Sequence, residues 1–499
     1  MGPSKDLNFK FYEVFCRAVE EFTHGMESTD PAVFKYRGAN LKYAIERNLY
    51  FDFINNKRLF DCFSRASIDH SKINSRMFTL LERDFSRYLS QKAGTPKNKG
   101  LFFLRIIHIE YFLPKLRNFV WRLAYLLLPK NPKINNVNFD VLFYVANNRF
   151  AKYIEPIIKS FPLSYAFLID RSNIKLKAYL KRKNLLFIDS RKLQLRLDKA
   201  IWKLKYTEFL HLKFWFDQLF NSLAQLNPKC VFVVEGNAQQ DELMNQACKQ
   251  LSIPIICLQH GWSPIIHNGF RNMSYTKMLT WGDGFSKLLQ SYNPAQKFIE
   301  VGNHIIKFKA GNSKNDSDRK AICFFLQMTT RLISKECWNE YLKLIEWVAR
   351  EFSNLPVIIR EHAVAPLPEG KRNDLKKIPN IFFKSGQEYP LINVLDECFL
   401  TVSICSSTIL ESIAAGVLPI IFNMTSMPKF FPDIEAAGAG LEVKSPKEAQ
   451  EAITRYLTDK NYRKQFEPGM RSFQGKYFYK NDGKAAERIT QEIVSIIKA

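Results

Sequence analysis

Short apolar runs alternate with helix-forming stretches through most of the chain, and this alternation limits the possible folds more than any other feature. The pattern begins near residue 140, and each run ends in a polar turn. Buried strands that alternate with helices indicate parallel sheets covered by helices on both faces. The runs are 140–145, 164–169, 184–188, 230–234 and 253–258, then 321–326, 357–360, 381–383, 400–402 and 418–422.

A polar stretch divides the alternating pattern into two parts. Residues 309–320 are rich in Lys, Asn, Ser and Asp, which is typical of an interdomain linker. The sequence therefore predicts an α/β protein with two doubly wound Rossmann-like domains, residues 135–308 and 321–499, the second ending in a helical tail. Residues 1–134 show apolar residues at helical spacing and are predicted to form a helical N-terminal region.

One predicted helix of that region, residues 112–128, combines an apolar stripe that includes Leu116, Val120 and Leu123 with basic residues only. Two interpretations stay open, an interfacial membrane helix and an ordinary helix packed on its own domain. The formal net charge of +25 favours anionic partners such as nucleotides, acidic glycans or phospholipids. With neither a signal-peptide core nor a membrane-spanning apolar window, a cytoplasmic location is expected, with peripheral contact to an anionic membrane as an open extension.

A cluster of hydroxyls follows the predicted strand 400–402. Ser406, Ser407 and Thr408 would begin a short helix, where free N–H groups and the helix dipole attract an anion. The turn also lies at the carboxyl end of a parallel strand, the usual ligand position in open α/β sheets. The alternative is a capping box in which Glu411 bonds back to Thr408 and no ligand is involved.

Polar residues also follow the strands of the first predicted domain. Glu235, beside Gly236 and Asn237, is a candidate base if burial raises its pKa, and a simple turn carboxylate is the alternative. His260 lies among Gln259, Gly261 and Trp262, a set that suits a sugar or phosphate unless the histidine is structural. Two more predicted cleft loops contribute Asp283, Asn303 and His304.

In the second domain, a polar loop after the first strand offers Gln327, Thr329, Thr330 and Arg331 to a phosphate. Arg360 and His362 end the next long strand and are suitable donors to a phosphate. A structural ion pair between Arg360 and Glu361 is the alternative.

The order of these motifs resembles the GT-B superfamily of sugar-nucleotide-dependent glycosyltransferases over residues 135–499. It is most similar to bacterial capsule and lipopolysaccharide enzymes that use CMP-activated acidic sugars, Kdo or sialic acid. Glu235–Gly236 would correspond to their acidic-Gly motif, His362 to their His-Pro motif and Ser406–Thr408 to their Ser-Ser/Thr motif. Val234 and Ala363 depart from that pattern, because an acidic residue and a proline are common there.

The resemblance implies a glycosyltransferase that takes a nucleotide sugar, CMP- or UDP-linked, as substrate and needs no further cofactor or metal. Ser406, Ser407 and His362 would hold the donor phosphate, and Glu411 would reach the ribose. Glu235 or His260 would take a proton from the acceptor, a glycan or lipid-linked glycan; in a retaining enzyme Glu235 or Asp283 would be the nucleophile.

Three other functions stay open at this point. A sugar-nucleotide epimerase or a polyol-phosphate transferase could use the same fold. A non-enzymatic protein that binds nucleic acid or membrane through its basic charge is the third. Because the aromatic residues lie in apolar runs rather than among the basic clusters, nucleic acid is the less expected partner.

Overall fold

The computed structural model describes residues 16–55, 139–190, 193, 210–306 and 319–498, with short gaps inside these ranges. The gaps are residues 18, 22, 26, 29, 33, 171–172, 264, 328, 330–332, 363–365, 387 and 426–428. The predicted helix 112–128, Thr330, Arg331 and most of the predicted linker therefore lie outside the described residues.

The described N-terminal part packs into the first domain. It holds a short antiparallel pair, β1 (Lys35–Tyr36) and β2 (Ala39–Asn40), followed by helix α1 (Lys42–Asn55). Apolar side chains of this part, among them Phe34 and Ile45, share one core with the helices Leu210–Leu226 and Gln239–Gln250 of the first domain. The sequence predicts a separate helical region over residues 1–134, but the described residues 16–55 contribute to the core of the domain that follows.

The first domain is built on seven described parallel strands. They are β3 (Val141–Tyr144), β4 (Tyr165–Ile169), β5 (Phe187–Asp189), β6 (Cys230–Val234), β7 (Ile255–Leu258), β8 (Lys277–Thr280) and β9 (Phe298–Glu300). Their order is β5-β4-β3-β6-β7-β8-β9, so the direction of winding reverses between β3 and β6. The described helices are α2 (Asn148–Ile158), α3 (Ile174–Arg182), α4 (Leu210–Leu226), α5 (Gln239–Gln250) and α6 (Asp283–Gln290).

The second domain repeats this plan with six described parallel strands in the order β12-β11-β10-β13-β14-β15. They are β10 (Ala321–Phe325), β11 (Val357–Glu361), β12 (Ile381–Ser385), β13 (Cys398–Ser403), β14 (Leu418–Phe422) and β15 (Leu441–Val443). The winding reverses between β10 and β13. Two doubly wound Rossmann-like domains, the fold class that the sequence predicts, are thereby confirmed.

Eight described helices belong to this second half of the chain. They are α7 (Lys335–Glu351), α8 (Glu369–Lys376), α9 (Leu391–Leu395), α10 (Thr408–Ala414), α11 (Pro446–Thr458), α12 (Lys460–Lys464), α13 (Glu467–Tyr477) and α14 (Ala485–Lys498). Ile489 and Ile493 of α14 are buried among the strands of the first sheet, whereas the sequence pattern predicts that the tail belongs to the second domain. The chain therefore returns to the first domain after α13.

That return is held by a close apolar contact with the segment after β8. The ring of Trp281 stacks on Phe478 with centroids 5.8 Å apart, and the backbone N–H of Tyr479 donates to the Trp281 carbonyl at 2.7 Å. A Cβ on Gly282 would lie 2.5 Å from the Tyr477 backbone, so glycine is needed at this position for packing.

Among the helices of the described segments, none combines the length and apolarity needed to cross a bilayer.

Candidate functional site

The turn after β6 lies at the point where the first sheet reverses its winding. Glu235 has φ of 71° and Gly236 has φ of 68°. A left-handed backbone at a residue other than glycine costs about 1–3 kcal/mol and is concentrated at functional sites. A Cβ on Gly236 would lie 2.4 Å from Cys257 Sγ, so the fold itself requires this glycine. The turn thus presents Glu235 in a conformation that the surrounding structure must hold.

Arg149 faces Glu235 from the other side of this switch point. It is the second residue of α2, the helix that follows β3, and its Nη2 lies 3.6 Å from Glu235 Oε2. The Arg149 side chain is 63% exposed and the Glu235 side chain 24%. Burial raises the pKa of Glu235, and the Arg149 guanidinium opposes this shift. Arg149 is not among the site residues predicted from the sequence, although a basic residue shortly after the first strand is a usable signal.

His260 is enclosed by aromatic rings. Its ring centroid lies 4.6 Å from Tyr153 and 5.1 Å from Phe150. Burial, together with the positive charge of Arg149, lowers the pKa of His260 to about 3. A base with so low a pKa is a weak proton acceptor at neutral pH. A carboxyl group with a raised pKa is a better acceptor, because its pKa lies closer to the operating pH. Between the two bases suggested by the sequence, the electrostatics favour Glu235.

The neighbours of His260 are engaged within the protein. The side-chain amide of Gln259 accepts from the Trp281 backbone N–H at 2.9 Å and donates to the Gly261 carbonyl at 3.3 Å. Trp262 Nε1 donates to the carbonyl of Phe431 at 2.8 Å and so joins the two domains. These two side chains therefore position the loop. A Cβ on Gly261 would meet no atom within 4 Å, which leaves open space beside His260.

Asn303 and His304 follow β9 and are both buried. Asn303 Oδ1 accepts the backbone N–H groups of Ile305 and Ile306, and His304 Nε2 donates to the Tyr153 carbonyl at 2.6 Å. Burial lowers the pKa of His304 to about 4, so the ring is neutral at physiological pH. Asn303 Nδ2 and His304 Nδ1 are left without a hydrogen-bond partner. The hydrogen bonds of their other polar atoms hold the segment after β9 in place.

Asp283 does not join this cluster. It begins α6, its side chain is 52% exposed, and it pairs with Lys287 one helical turn away at 2.6 Å. The preceding Trp281 and Gly282 are packed against Tyr477 and Phe478 rather than lining a cleft loop. The prediction of a cleft loop is wrong for Trp281 and Gly282, because these two residues are buried in the packing between the domains.

Gln327 spans the corresponding switch point of the second sheet. Its side-chain oxygen accepts from the Cys405 backbone N–H at 2.8 Å and from Ser403 Oγ at 3.3 Å. Its own carbonyl accepts from Trp338 Nε1 at 2.9 Å. Gln327 thus ties the end of β10 to the loop after β13, while Thr329, two residues further on, is exposed.

The start of α10 lacks the predicted capping box. Ser407 occupies the cap position without a side-chain cap bond, and Thr408 Oγ1 is buried without a hydrogen-bond partner. Ser406 Oγ accepts from the Thr408 backbone N–H at 3.3 Å. Because Glu411 does not bond back, the structural alternative for this stretch is wrong. The other end of α10 is anchored, since Gln474 and Asn481 donate to its last two carbonyls. Arg319 donates to the carbonyls of Ala415 and Gly416, directly after the helix.

Arg360 and His362 flank a buried glutamate at the end of β11. Glu361 pairs with Arg372 at 3.2 Å and accepts from the Leu367 backbone N–H, so the suggested Arg360–Glu361 ion pair is wrong. Neighbouring residues on a strand face opposite sides of the sheet, which explains this choice of partner. Arg360 Nε is buried without a hydrogen-bond partner. The guanidinium is therefore only partly satisfied within the protein.

Charged side chains of the two domains shift the pKa values of groups near Glu411. Burial raises its pKa to about 7, and Arg360 opposes the shift. Burial also raises the pKa of Tyr153 in the first domain, and the negative charges of Glu411 and Glu235 raise it further. The pKa of His362 is lowered by burial and by the positive charges of Arg149 and Arg360, one from each domain. Glu235, Arg149, Glu411 and His362 therefore act on the same space between the two sheets.

The raised pKa of Glu411 predicts a pH-dependent stability difference. The folded carboxyl binds its proton more tightly than the unfolded one, so wild type loses stability as pH rises from the ordinary carboxyl pKa of 4.5 to the folded value of about 7. Glu411→Gln removes this loss, and its free energy of unfolding should exceed that of wild type by about 1–3 kcal/mol at pH 8 and by little at pH 5. Urea unfolding across this range measures the difference. The exposed control Glu451→Gln should follow wild type, and a Glu411→Gln profile parallel to wild type would contradict a raised pKa.

Neither a protein-family model nor a curated protein matches this sequence. Similar solved structures include UDP-GlcNAc 2-epimerase from Neisseria meningitidis bound to UDP-GlcNAc, at 15% identity and TM-score 0.49, covering 72% of this chain and 100% of that chain. MurG from Acinetobacter baumannii is similar at 12% identity and TM-score 0.43, covering 71% and 99%. The glycotransferase of kitacinnamycin is similar at 11% identity and TM-score 0.44, covering 73% and 100%. Similarity this low does not assign an activity.

Proposed function

We propose that the protein is a glycosyltransferase that moves a sugar from a nucleotide-activated donor to a glycan acceptor. One observation carries the proposal: polar and charged side chains gather at the switch points of both sheets, with the Glu235–Arg149 pair in the first domain and the buried, unpartnered Arg360 Nε and Thr408 Oγ1 in the second. Ligands of doubly wound domains bind at such switch points. In the first domain, the carboxylate of Glu235, whose pKa is raised, is suited to accept a proton. In the second domain, the partly satisfied guanidinium of Arg360 is suited to bind a phosphate.

In this proposal Glu235 is the catalytic base. The acceptor hydroxyl attacks the anomeric carbon, its proton passes to Glu235, and the bond from that carbon to the donor phosphate breaks. The raised pKa of Glu235 supports this role. A general base is most effective when its pKa lies near the operating pH, and burial moves the pKa of Glu235 in that direction. Arg149, exposed beside Glu235, would orient an anionic group of the substrate.

The second domain would hold the donor. Arg360, His362 and the hydroxyls of Ser406, Ser407 and Thr408 would stabilise the negative charge that develops on the leaving phosphate. The unpartnered Arg360 Nε and Thr408 Oγ1 support this assignment, because buried polar groups are rarely left unpaired. Glu411 would reach the ribose. Gln327 would hold the hydroxyl loop in place, and the exposed Thr329 would border the phosphate.

The favoured donor is a CMP-linked acidic sugar, Kdo or sialic acid, and a UDP-sugar is the second choice. This preference rests on the motif resemblance at Glu235–Gly236, His362 and Ser406–Thr408. The acceptor would be a growing surface glycan, free or lipid-linked, and the enzyme would work in the cytoplasm at the inner face of the membrane. The formal net charge of +25 supports such anionic partners.

A thermal-shift screen with CMP, UMP, UDP, GDP and ADP tests the donor site. The cognate nucleotide should stabilise the fold by about 2.7 kcal/mol at a concentration one hundred times its Kd. Donors that carry this nucleotide should then yield free nucleotide only when an acceptor is supplied. A changed sugar without nucleotide release would identify an epimerase, and a screen in which no nucleotide raises the melting temperature would contradict the proposal.

A further inference from the structure

The turn that carries Glu235 is supported from behind by a buried arginine of the N-terminal helix α1. Arg47 is fully buried, and its Nη1 donates to the Gly236 carbonyl at 3.0 Å across 189 residues of sequence. The same carbonyl accepts from Tyr275 OH at 2.8 Å. Both acceptor positions of the Gly236 oxygen are therefore filled, which limits how the peptide can rotate.

The charge of Arg47 is balanced within the first domain. Its Nη2 lies 3.2 Å from Glu242 Oε2, and both side chains are fully buried. Glu242 belongs to α5, the helix that follows the turn, so Arg47 contacts the turn and the next element together. Burying an arginine is costly unless it is paired and hydrogen-bonded. Arg47 is paired with Glu242 and hydrogen-bonded to the turn.

The backbone of the turn needs such support. Glu235 and Gly236 both have positive φ, a conformation that persists only when the surroundings over-determine it. Without the bonds from Arg47 and Tyr275, the Gly236 peptide could rotate, and the Glu235 carboxylate would move away from Arg149. A displacement of this kind costs rate rather than substrate affinity.

We propose that Arg47 is a positioning residue for Glu235, so that the N-terminal helix α1 is part of the catalytic apparatus. The inference rests on the proposed role of Glu235 as base. It gives α1 a function distinct from any membrane contact of the N-terminal region.

Substitution of Arg47 tests this role by its effect on kcat. Arg47→Met should lower kcat by about 10- to 100-fold with KM for the donor unchanged. Arg47→Lys, which keeps one donor and the charge, should restore part of the loss. The control Lys42→Met, on the same helix but paired with Glu27, should behave as wild type.

Hydrogen exchange gives a readout that does not depend on turnover. Amides of residues 235–238 should exchange at least about tenfold faster in Arg47→Met than in wild type, with other strands of the first sheet unchanged. If Arg47→Met does not fold, Tyr275→Phe decides, because it removes one of the two bonds to the Gly236 carbonyl and should accelerate exchange of the same amides. Unchanged exchange at 235–238 in the folded variants would overturn the inference. Absence of turnover in wild type would instead overturn the proposed function and leave the exchange result decisive for Arg47.

Discussion

Glu235→Gln should reduce kcat/KM for sugar transfer by about 10²–10⁴-fold while nucleotide affinity stays at the wild-type level. Glutamine preserves the size of the side chain and its contact with Arg149 but cannot accept a proton. The loss should therefore appear in kcat, since the proposed nucleotide site lies in the other domain. Steady-state rates with a saturating acceptor, together with nucleotide titrations of both proteins, measure the two effects.

Asp283→Asn is the matched control for this experiment. Both carboxylates are candidates from the sequence, but Asp283 is half exposed and pairs with Lys287 on the surface of α6. The control should retain wild-type activity within about twofold, because exposed ion pairs contribute little. Comparable losses in both variants, or wild-type turnover in Glu235→Gln, would remove Glu235 from the role of base.

Trp281→Ala should destabilise the protein by about 3–5 kcal/mol, the usual cost of removing a large buried aromatic side chain. Trp281 is fully buried, stacks on Phe478, and donates from Nε1 to Tyr153 OH at 3.2 Å. Its loss would open a cavity at the point where the chain returns from the second domain to the first. Urea unfolding followed by far-ultraviolet circular dichroism measures the change without relying on tryptophan fluorescence.

Trp347→Ala provides the comparison, because Trp347 is only partly buried at the edge of the second core. Its cost should be clearly smaller than that of Trp281→Ala. A loss below about 1 kcal/mol for Trp281→Ala would mean that the interdomain contact contributes little to stability. Equal losses in the two variants would contradict the packing role assigned to the segment after β8.

The central strands of both sheets could be predicted from the sequence because each is a short continuous apolar run with a polar turn after it. One edge strand of each sheet was less visible. Phe298–Glu300 and Leu441–Val443 are short and include glutamate, so neither forms an apolar run of its own. The positions of Glu235, Arg360 and Ser406 at or just after strand ends could be predicted in the same way, because the end of an apolar run is visible in the local sequence.

The supporting residues could not be found in this way. Arg47 lies in α1, far from Gly236 in sequence, and an arginine in a helical pattern is ordinarily expected on the surface. Trp281 and Gly282 look like a ligand loop, because the sequence does not reveal that Tyr477 and Phe478 cover them. Local patterns indicate where strands end, but the partner of a buried side chain depends on long-range packing.

The most direct test of the central claim is calorimetric titration of the nucleotide selected by the thermal screen into wild type and Arg360→Ala. If the switch point of the second sheet holds the donor phosphate, wild type should bind one nucleotide per chain, and Arg360→Ala should bind it about 10- to 100-fold more weakly, as loss of a charged hydrogen bond predicts. Glu235→Gln should bind it as wild type does. Equal affinity in wild type and Arg360→Ala, or no saturable binding in wild type, would contradict the account.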